Sequence, residues 1–358
     1  MKPFDVEKYF RKNPAVLLSN APRSRIGVVI PAYDENENIR AALDSVREAS
    51  AFARISACII VVINYPANRS SRQSEELYAL WKKGALPADE VIYLPELSGG
   101  VGAARKAGMD SFISGLPPEE LEQSVIYSLD ADTAVEPEYF RATLPEVLSG
   151  GAVSIPFSHR KAPTPQAQAA IEYYEAYMTR YVEKLAQAHS PYAFYTIGSA
   201  FAVRADSYIR AGGMKVREAG EDFYFLQAAA KSSGVRQLKC APLVHPSPRI
   251  SDRVPFGTGP AMELLLNGGK LNVIPDEAFE KLEEFLHIAA SFEALSNLTA
   301  LRGKLGEKTT AFLDGEGFFS RFPKVIADHR KHPERAVKAF HEWFDGLKTL
   351  KFLHFFSN

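Results

Sequence analysis

The 358-residue chain is poor in cysteine, with Cys58 and Cys240 alone. Two thiols cannot build a disulfide framework or complete a cysteine-rich zinc site. Each stands in a short apolar run, CIIVVI and VRQLKC, so both are expected to be buried small hydrophobes in a reducing, cytoplasmic setting. The chain also lacks an excess of either charge. Its 42 Lys and Arg stand against 43 Asp and Glu, which removes the electrostatic case for a nucleic-acid partner. No apolar run reaches the roughly 18 residues needed to span a bilayer, so no transmembrane segment is expected. The N-terminal MKPFDVEKYFRKNP carries charges throughout and has no apolar stretch of the signal-peptide kind. What remains is the composition of an ordinary soluble protein, 46% hydrophobic and 24% charged.

The first half alternates two kinds of segment. IGVVIPAY (26–33), CIIVVI (58–63), VIYLP (91–95) and SVIYSLD (124–130) read as strands. Between them, Ile39, Leu43, Val46 and Ala49 mark a helix that Asp34 or Asn36 could cap. Segments 70–84 and 100–114 read as two more helices. Such alternation predicts βαβ units around a mostly parallel sheet, with ligands at the C-terminal strand ends. Further on, 152–158 and 195–204 read as strands, and 221–233 as a helix. A long helix carries Ile171, Tyr174, Met178, Tyr181 and Leu185 on one face. Residues 245–261 form a Pro-, Gly- and Arg-rich loop, long enough to suggest a function. From about residue 270 the pattern is helical. The domains expected are an N-terminal helical extension (1–23), a catalytic domain (24–270) and a C-terminal helical region (271–358).

Four constellations carry chemistry. SLDADT places Asp130 and Asp132 at a strand end, where residues i and i+2 share a side. The pair reads either as a solvated turn or as a holder of Mg²⁺ or Mn²⁺ completed by phosphate oxygens. GEDFYF opens a helix with Glu221 and Asp222. These either cap the helix or supply a general base for a hydroxyl nucleophile. GGVGAARKAG reads as a tight connection or as a ligand cradle. Gly99, Gly100 and Gly102 would permit close backbone approach, the helix start would receive an anion, and Arg105 would add charge. His245 opens the long loop ahead of Arg249 and Arg253. It is a packed histidine or a further metal ligand, and the arginines could clamp a diphosphate.

In order along residues 24–245, GVVIPAYDENENI, GVGAARKAG, SLDADT, IGSAFAVRADSYIRAGGM and GEDFYF resemble the successive blocks of family-two glycosyltransferases of the GT-A fold. The resemblance implies a Rossmann-like α/β domain with a mixed, mostly parallel sheet flanked by helices, and a helical appendage after it. It implies that Pro31, Tyr33 and Glu35 line the nucleotide pocket and that Arg105 approaches the nucleoside or phosphates. Asp130 and Asp132 match the D-x-D motif, with Asp132 the more direct metal ligand. Asp222 matches the catalytic base of an inverting displacement, and His245 a histidine that binds metal in some relatives. One departure stands out. After the second strand the family carries an aspartate that commonly reads the nucleobase, and here Asn64 stands in its place. The choice between UDP- and GDP-sugar therefore stays open. The Q-x-x-R-W signature of processive synthases is missing, which implies a non-processive enzyme.

The function expected is transfer of a sugar from a nucleotide-diphosphate donor to a hydroxyl acceptor, either lipid-linked or a small molecule. Two other readings compete. A sugar-phosphate nucleotidyltransferase would need a G-x-G-T-R-x-x-P-type loop that PAYDENEN does not match. A non-catalytic nucleotide-sugar-binding regulator would fit the substituted Asn64 but not the retained Asp130, Asp132 and Asp222. In the C-terminal region, Val337, Phe340, Phe344, Leu347, Leu350 and Leu353 form one apolar helical stripe. It could be covered by the protein's own core, by a second copy in a homodimer, or by a membrane surface with Lys348 and Lys351 alongside.

Overall fold

The computed structural model describes residues 6–66, 71–217, 219–251, 255 and 257–357. The chain divides into two compact units, Met1–Glu175 with Phe194–Lys270, and Ala176–Ala193 with Leu271–Asn358.

The first unit opens with a short helix, α1 (Val6–Lys12). Strands β1 (Ile26–Ala32), β2 (Cys58–Asn64), β3 (Glu90–Leu94) and β4 (Val125–Ser128) follow. They alternate with helices α2 (Ile39–Ala53), α3 (Arg72–Lys82) and α4 (Gly100–Ser114). Every residue of β1 and β2 is buried, as expected of β-branched strands covered on both faces. The chain continues through β5 (Ala134–Val135), α5 (Tyr139–Gly150), β6 (Ala152–Ser154), α6 (Pro165–Gln187, of which the part from Ala176 belongs to the second unit), β7 (Phe201–Arg204) and α7 (Ala205–Arg210). It closes with α8 (Glu221–Ser232), β8 (Arg236–Gln237), β9 (Val244–His245) and α9 (Thr258–Leu266).

Seven strands pair in the order β3-β2-β1-β4-β7-β6-β8. The β3-β2-β1-β4 half is parallel, so those four strands end on one edge. β7 runs antiparallel to both β4 and β6, which makes the sheet mixed. A separate antiparallel ladder joins β5 to β9, with Ala134 opposite His245.

Three local expectations are corrected. Asn38 rather than Asp34 or Asn36 stands at the cap of α2, and its side chain makes no capping bond. Asp34 adopts a left-handed φ of 52° and instead accepts from Ser71 Oγ, the residue that caps α3. The PAYDENEN turn is thereby tied to the start of α3. Cys58 is buried as expected, but Cys240 is exposed. The loop expected over 245–261 gives way to α9 from Thr258.

The second unit is helical. It holds α10 (Asp276–Ile288), α11 (Phe292–Ser296), α12 (Leu298–Lys304), α13 (Glu307–Gly315), α14 (Phe318–Asp328), α15 (Pro333–Trp343) and α16 (Gly346–Ser357). Phe285 lies at its centre, with the rings of Phe340, Phe344 and Phe352 at 5.7, 5.0 and 5.9 Å. Phe340, Phe344 and Leu353 of the predicted stripe are buried in this core, and Val337 and Leu350 pack against it. The stripe is thus covered within the unit itself, at about 1.5–3 kcal/mol for each fully buried side chain before entropy. Among the described residues no helix is long and apolar enough to cross a membrane.

Candidate active site

The sequence motifs meet at the edge where β1, β2 and β4 end. Pro31 is buried in β1 opposite Val62. Tyr33 is half-buried just beyond it. Glu35 is 5% exposed and Asn64, the last residue of β2, is 7% exposed. The β4 ladder stops at Ser128, and Asp130 and Asp132 lie in the turn that follows, closed by Thr133 N donating to Asp130 O at 3.1 Å. They are therefore not on one extended strand, as the spacing suggested. Each faces a different cation, Asp130 meeting Arg105 and Asp132 meeting Arg249.

Arg105 is the buried centre of this edge. The guanidinium donates to Ser128 Oγ at 3.1 Å and forms ion pairs with Asp130 and Glu221. Arg105 and Glu221 are both 3% exposed. Burial works against the guanidinium's charge, but Asp130, Glu221 and Asp222 outweigh it and hold it protonated. Arg105, expected from the resemblance to approach the nucleoside or phosphates, is here paired with two carboxylates of the framework. Gly198 makes the space, since a Cβ there would run into the guanidinium.

Gly102 admits a close approach, and what lies against it is the chain's own backbone. A Cβ on it would stand 2.7 Å from Arg217 O and 3.0 Å from both Lys215 O and the Glu221 Cβ. The missing side chain lets the segment before α8 lie directly on α4, which sets where Glu221 and Asp222 point. Gly102→Ala is expected to lower stability by about 1–3 kcal/mol, because backbone must move to admit the methyl group. Urea denaturation measures it, and a loss below about 0.5 kcal/mol, the ordinary range for a change away from such features, would show that the contact is slack.

The two acids at the start of α8 have separate surroundings. Glu221 is spent on Arg105. Asp222 accepts from its neighbour's backbone, Phe223 N, at 2.7 Å. Its carboxyl is pushed up to about 7, first by burial and then by the charge of Glu221, with Arg105 opposing. Asp130 is also pushed above the usual carboxylate range, by desolvation first and then by Asp132, Glu221 and Glu35, against the pull of Arg105. Beside α8 an open groove of about 540 Å³ is lined by Lys215, Val216, Arg217, Tyr224, Gln227 and Ala228.

Arg249 crosses from the segment after β9. Its Nε donates to Asp132 Oδ2 at 2.8 Å, and its Nη2 pairs with Glu35. Arg253 lies outside the described residues. His245 does not join Asp132. Its Nδ1 faces Ser158 O at 2.9 Å and its Nε2 faces Glu136 at 2.8 Å. Among the described residues, no three His, Cys, Asp or Glu side chains form a group that could hold a metal ion. The two carboxylates of Glu35 and Asp132 do converge on one cation. Such a pair suits a hard divalent ion whose remaining positions are filled by phosphate oxygens and water. The donor set fits an ion arriving with a diphosphate, not an ion caged by protein alone.

Sequence reasoning missed the supports. Arg160 Nη2 donates to Asp132 O at 2.7 Å, and Arg160 N to Pro246 O at 2.9 Å. His159 stands between Glu175 Oε1, 2.8 Å from its Nδ1, and Thr258 Oγ1, 3.0 Å from its Nε2. Segment 158–160 thereby ties the Asp132 turn to Pro246 and to Thr258 at the start of α9. Nothing in the spacing of SHRKAP points to this, because every partner is distant in sequence.

A mixed sheet whose parallel strands end in this acidic edge is the GT-A type of Rossmann-like fold, the fold of nucleotide-sugar transferases. The sequence matches the model of glycosyl transferase family 2 over residues 27–210. The chain belongs to that family and is a glycosyltransferase acting on a nucleotide-sugar donor. No curated protein matches the sequence. Among solved structures it is similar to residues 1–349 of S. aureus TarS in complex with UDP-GlcNAc, at 12% identity over 86% of this chain and 91% of that chain, with a TM-score of 0.46. A mannosyltransferase from Pyrobaculum calidifontis, in complex with GDP-Man and Mn²⁺, is 16% identical over 96% and 94% of the chains, with a TM-score of 0.41. Glucosyl-3-phosphoglycerate synthase from Mycobacterium tuberculosis, in complex with Mn²⁺, UDP-Glc and phosphoglyceric acid, is 15% identical over 70% and 82%, with a TM-score of 0.38.

Proposed function

We propose that the chain carries out an inverting, non-processive transfer in which Asp222 is the base and the Asp132 turn receives the donor diphosphate with a divalent ion. The observation that carries this reading is the separation of roles within one carboxylate cluster. Glu221 and Asp130 are ion-paired with Arg105, while the Asp222 carboxyl, beside them, is pushed up to about 7. A base with its pKa near the working pH is the efficient one. The acceptor hydroxyl gives its proton to the Asp222 carboxylate as its oxygen attacks the anomeric carbon. The bond to the diphosphate oxygen breaks on the opposite face, and the configuration inverts. A divalent ion, Mn²⁺ or Mg²⁺, would neutralise charge on the leaving diphosphate. Pro31, Tyr33, Glu35 and Asn64 line the side where the nucleoside would sit. Family membership favours this chemistry over nucleotidyl transfer and over a purely regulatory role.

The test is calorimetric titration of UDP and GDP with and without Mn²⁺. Asp132→Asn is expected to weaken metal-dependent nucleotide binding at least about tenfold, on the scale by which metal-site partners act, with the melting temperature little changed. Undiminished affinity in that variant removes Asp132 from the site. A thermal-shift panel of UDP-, GDP- and dTDP-sugars identifies the donor, since a ligand of the native state alone raises stability by mass action.

A further inference from the structure

Arg249 does more in this structure than wait for a phosphate. Its guanidinium lies between two carboxylates held by the framework. Glu35 is fixed by its turn, where its carbonyl receives Asn38 N and Ile39 N and its Oε2 receives Asn38 Nδ2 at 3.0 Å. Asp132 is fixed by Arg160 on its carbonyl. The guanidinium, by contrast, comes from the irregular segment that follows β9. Without a cation, the two carboxylates would repel each other across a partly dehydrated gap.

We propose that Arg249 is a built-in counter-cation that occupies the Glu35–Asp132 pair and yields it only to a divalent ion arriving with a nucleotide diphosphate. The proposal rests on the metal-assisted reading of this site. A free ion would find Asp132 Oδ2 already engaged by Arg249 Nε at 2.8 Å. It would also find no third acidic, His or Cys ligand in a holding group among the described residues. An intramolecular guanidinium competes at high effective concentration. A diphosphate reverses the balance in two ways. It brings oxygen ligands for the ion, and it offers the displaced guanidinium a bidentate anion of its own. Ion and nucleotide are then coupled through one side chain, and the coupling is reciprocal.

The experiment is Mn²⁺ binding to the full chain, read as loss of the free-ion signal in electron paramagnetic resonance, with Mn²⁺ alone, with UDP and with GDP. The wild type is expected to bind Mn²⁺ weakly alone and about 5–150-fold more tightly with the nucleotide it recognises, the usual span of such coupling. Arg249→Gln is expected to bind Mn²⁺ alone at least about fivefold more tightly than the wild type and to lose most of the nucleotide enhancement. Arg249→Lys keeps the charge but not the fork, so its affinity for Mn²⁺ alone should stay nearer the wild type than that of the Gln variant, while the nucleotide enhancement should fall. Adding Asp132→Asn to the Gln variant should abolish its ion binding. If Arg249→Gln leaves the affinity for Mn²⁺ alone unchanged while Asp132→Asn abolishes nucleotide-linked binding, the ion site is real and the counter-cation role is overturned. If neither the wild type nor Arg249→Gln binds Mn²⁺ under any condition, the metal reading fails and takes this proposal with it.

Discussion

Asp222→Asn is expected to lower turnover by about 10²–10⁴-fold, the usual contribution of a positioned general base. Donor affinity should stay near that of the wild type, as for a group that acts only in the transition state. Asn keeps the shape and can still accept from Phe223 N, so the start of α8 should survive. The wild-type pH profile supplies a second readout. Burial, and then the Glu221 charge, push the Asp222 carboxyl up to about 7. The base must be unprotonated to work, so kcat/KM should rise with pH and level off above that value. The variant should lose this limb. Stability should move the other way. Between the ordinary carboxylate range and about 7, the folded state holds a proton that the unfolded chain has released, so stability falls as pH rises across that window. Glu221→Gln should not reproduce the turnover defect by the same route, because its carboxylate is already committed to Arg105. Near-normal turnover in Asp222→Asn, or a product with retained anomeric configuration by NMR, would exclude the assigned role.

How far the site could be read from sequence depends on whether its contacts are local. Helix α4 was legible to the residue. A glycine-rich start, an apolar run and Gly115 at its C-cap bound it at Gly100–Ser114. The buried strands β1 and β2 were legible for the same reason, as short β-branched runs. The insertion of β7 between β4 and β6 was not, because strand order is a property of pairings far apart in sequence. Arg105 was found, but its partners within the chain were not, because Gly198, which leaves room for its guanidinium, lies on a distant segment. The same holds for Gly102, against which the chain's own 215–217 backbone lies. Cys240 shows the opposite error. Its run looked apolar enough to be buried, but β8 covers only Arg236–Gln237 and the cysteine beyond it is exposed.

Removing the charge of Arg105 is expected to be the most damaging single change at this edge. Arg105→Gln should cost about 3–5 kcal/mol, the range for breaking a buried ion pair from one side, where the penalty is the charge left behind. That charge is Glu221, which is 3% exposed. Asp130 loses the same partner, which in the wild type pulls its carboxyl down against desolvation. Gln places a donor near the position of Nε, within reach of Ser128, but has nothing in place of the two Nη groups that meet Glu221 and Asp130. The pH dependence separates the lost charge from the lost hydrogen bonds. In the variant, protonation of a stranded carboxylate removes the penalty. The stability gap to the wild type should therefore narrow as pH falls and widen as it rises towards neutrality. Arg105 also lowers the pKa of Asp222 in the wild type. Whatever variant protein folds should therefore reach its activity plateau at a higher pH than the wild type. Urea denaturation across the acid range, with a pH–rate profile on the folded fraction, tests both. A stability loss below about 1 kcal/mol, as for an exposed ion pair, with an unmoved profile, would mean that Glu221 and Asp222 do not depend on this guanidinium. The separation of roles on which the base assignment rests would then have no physical cause.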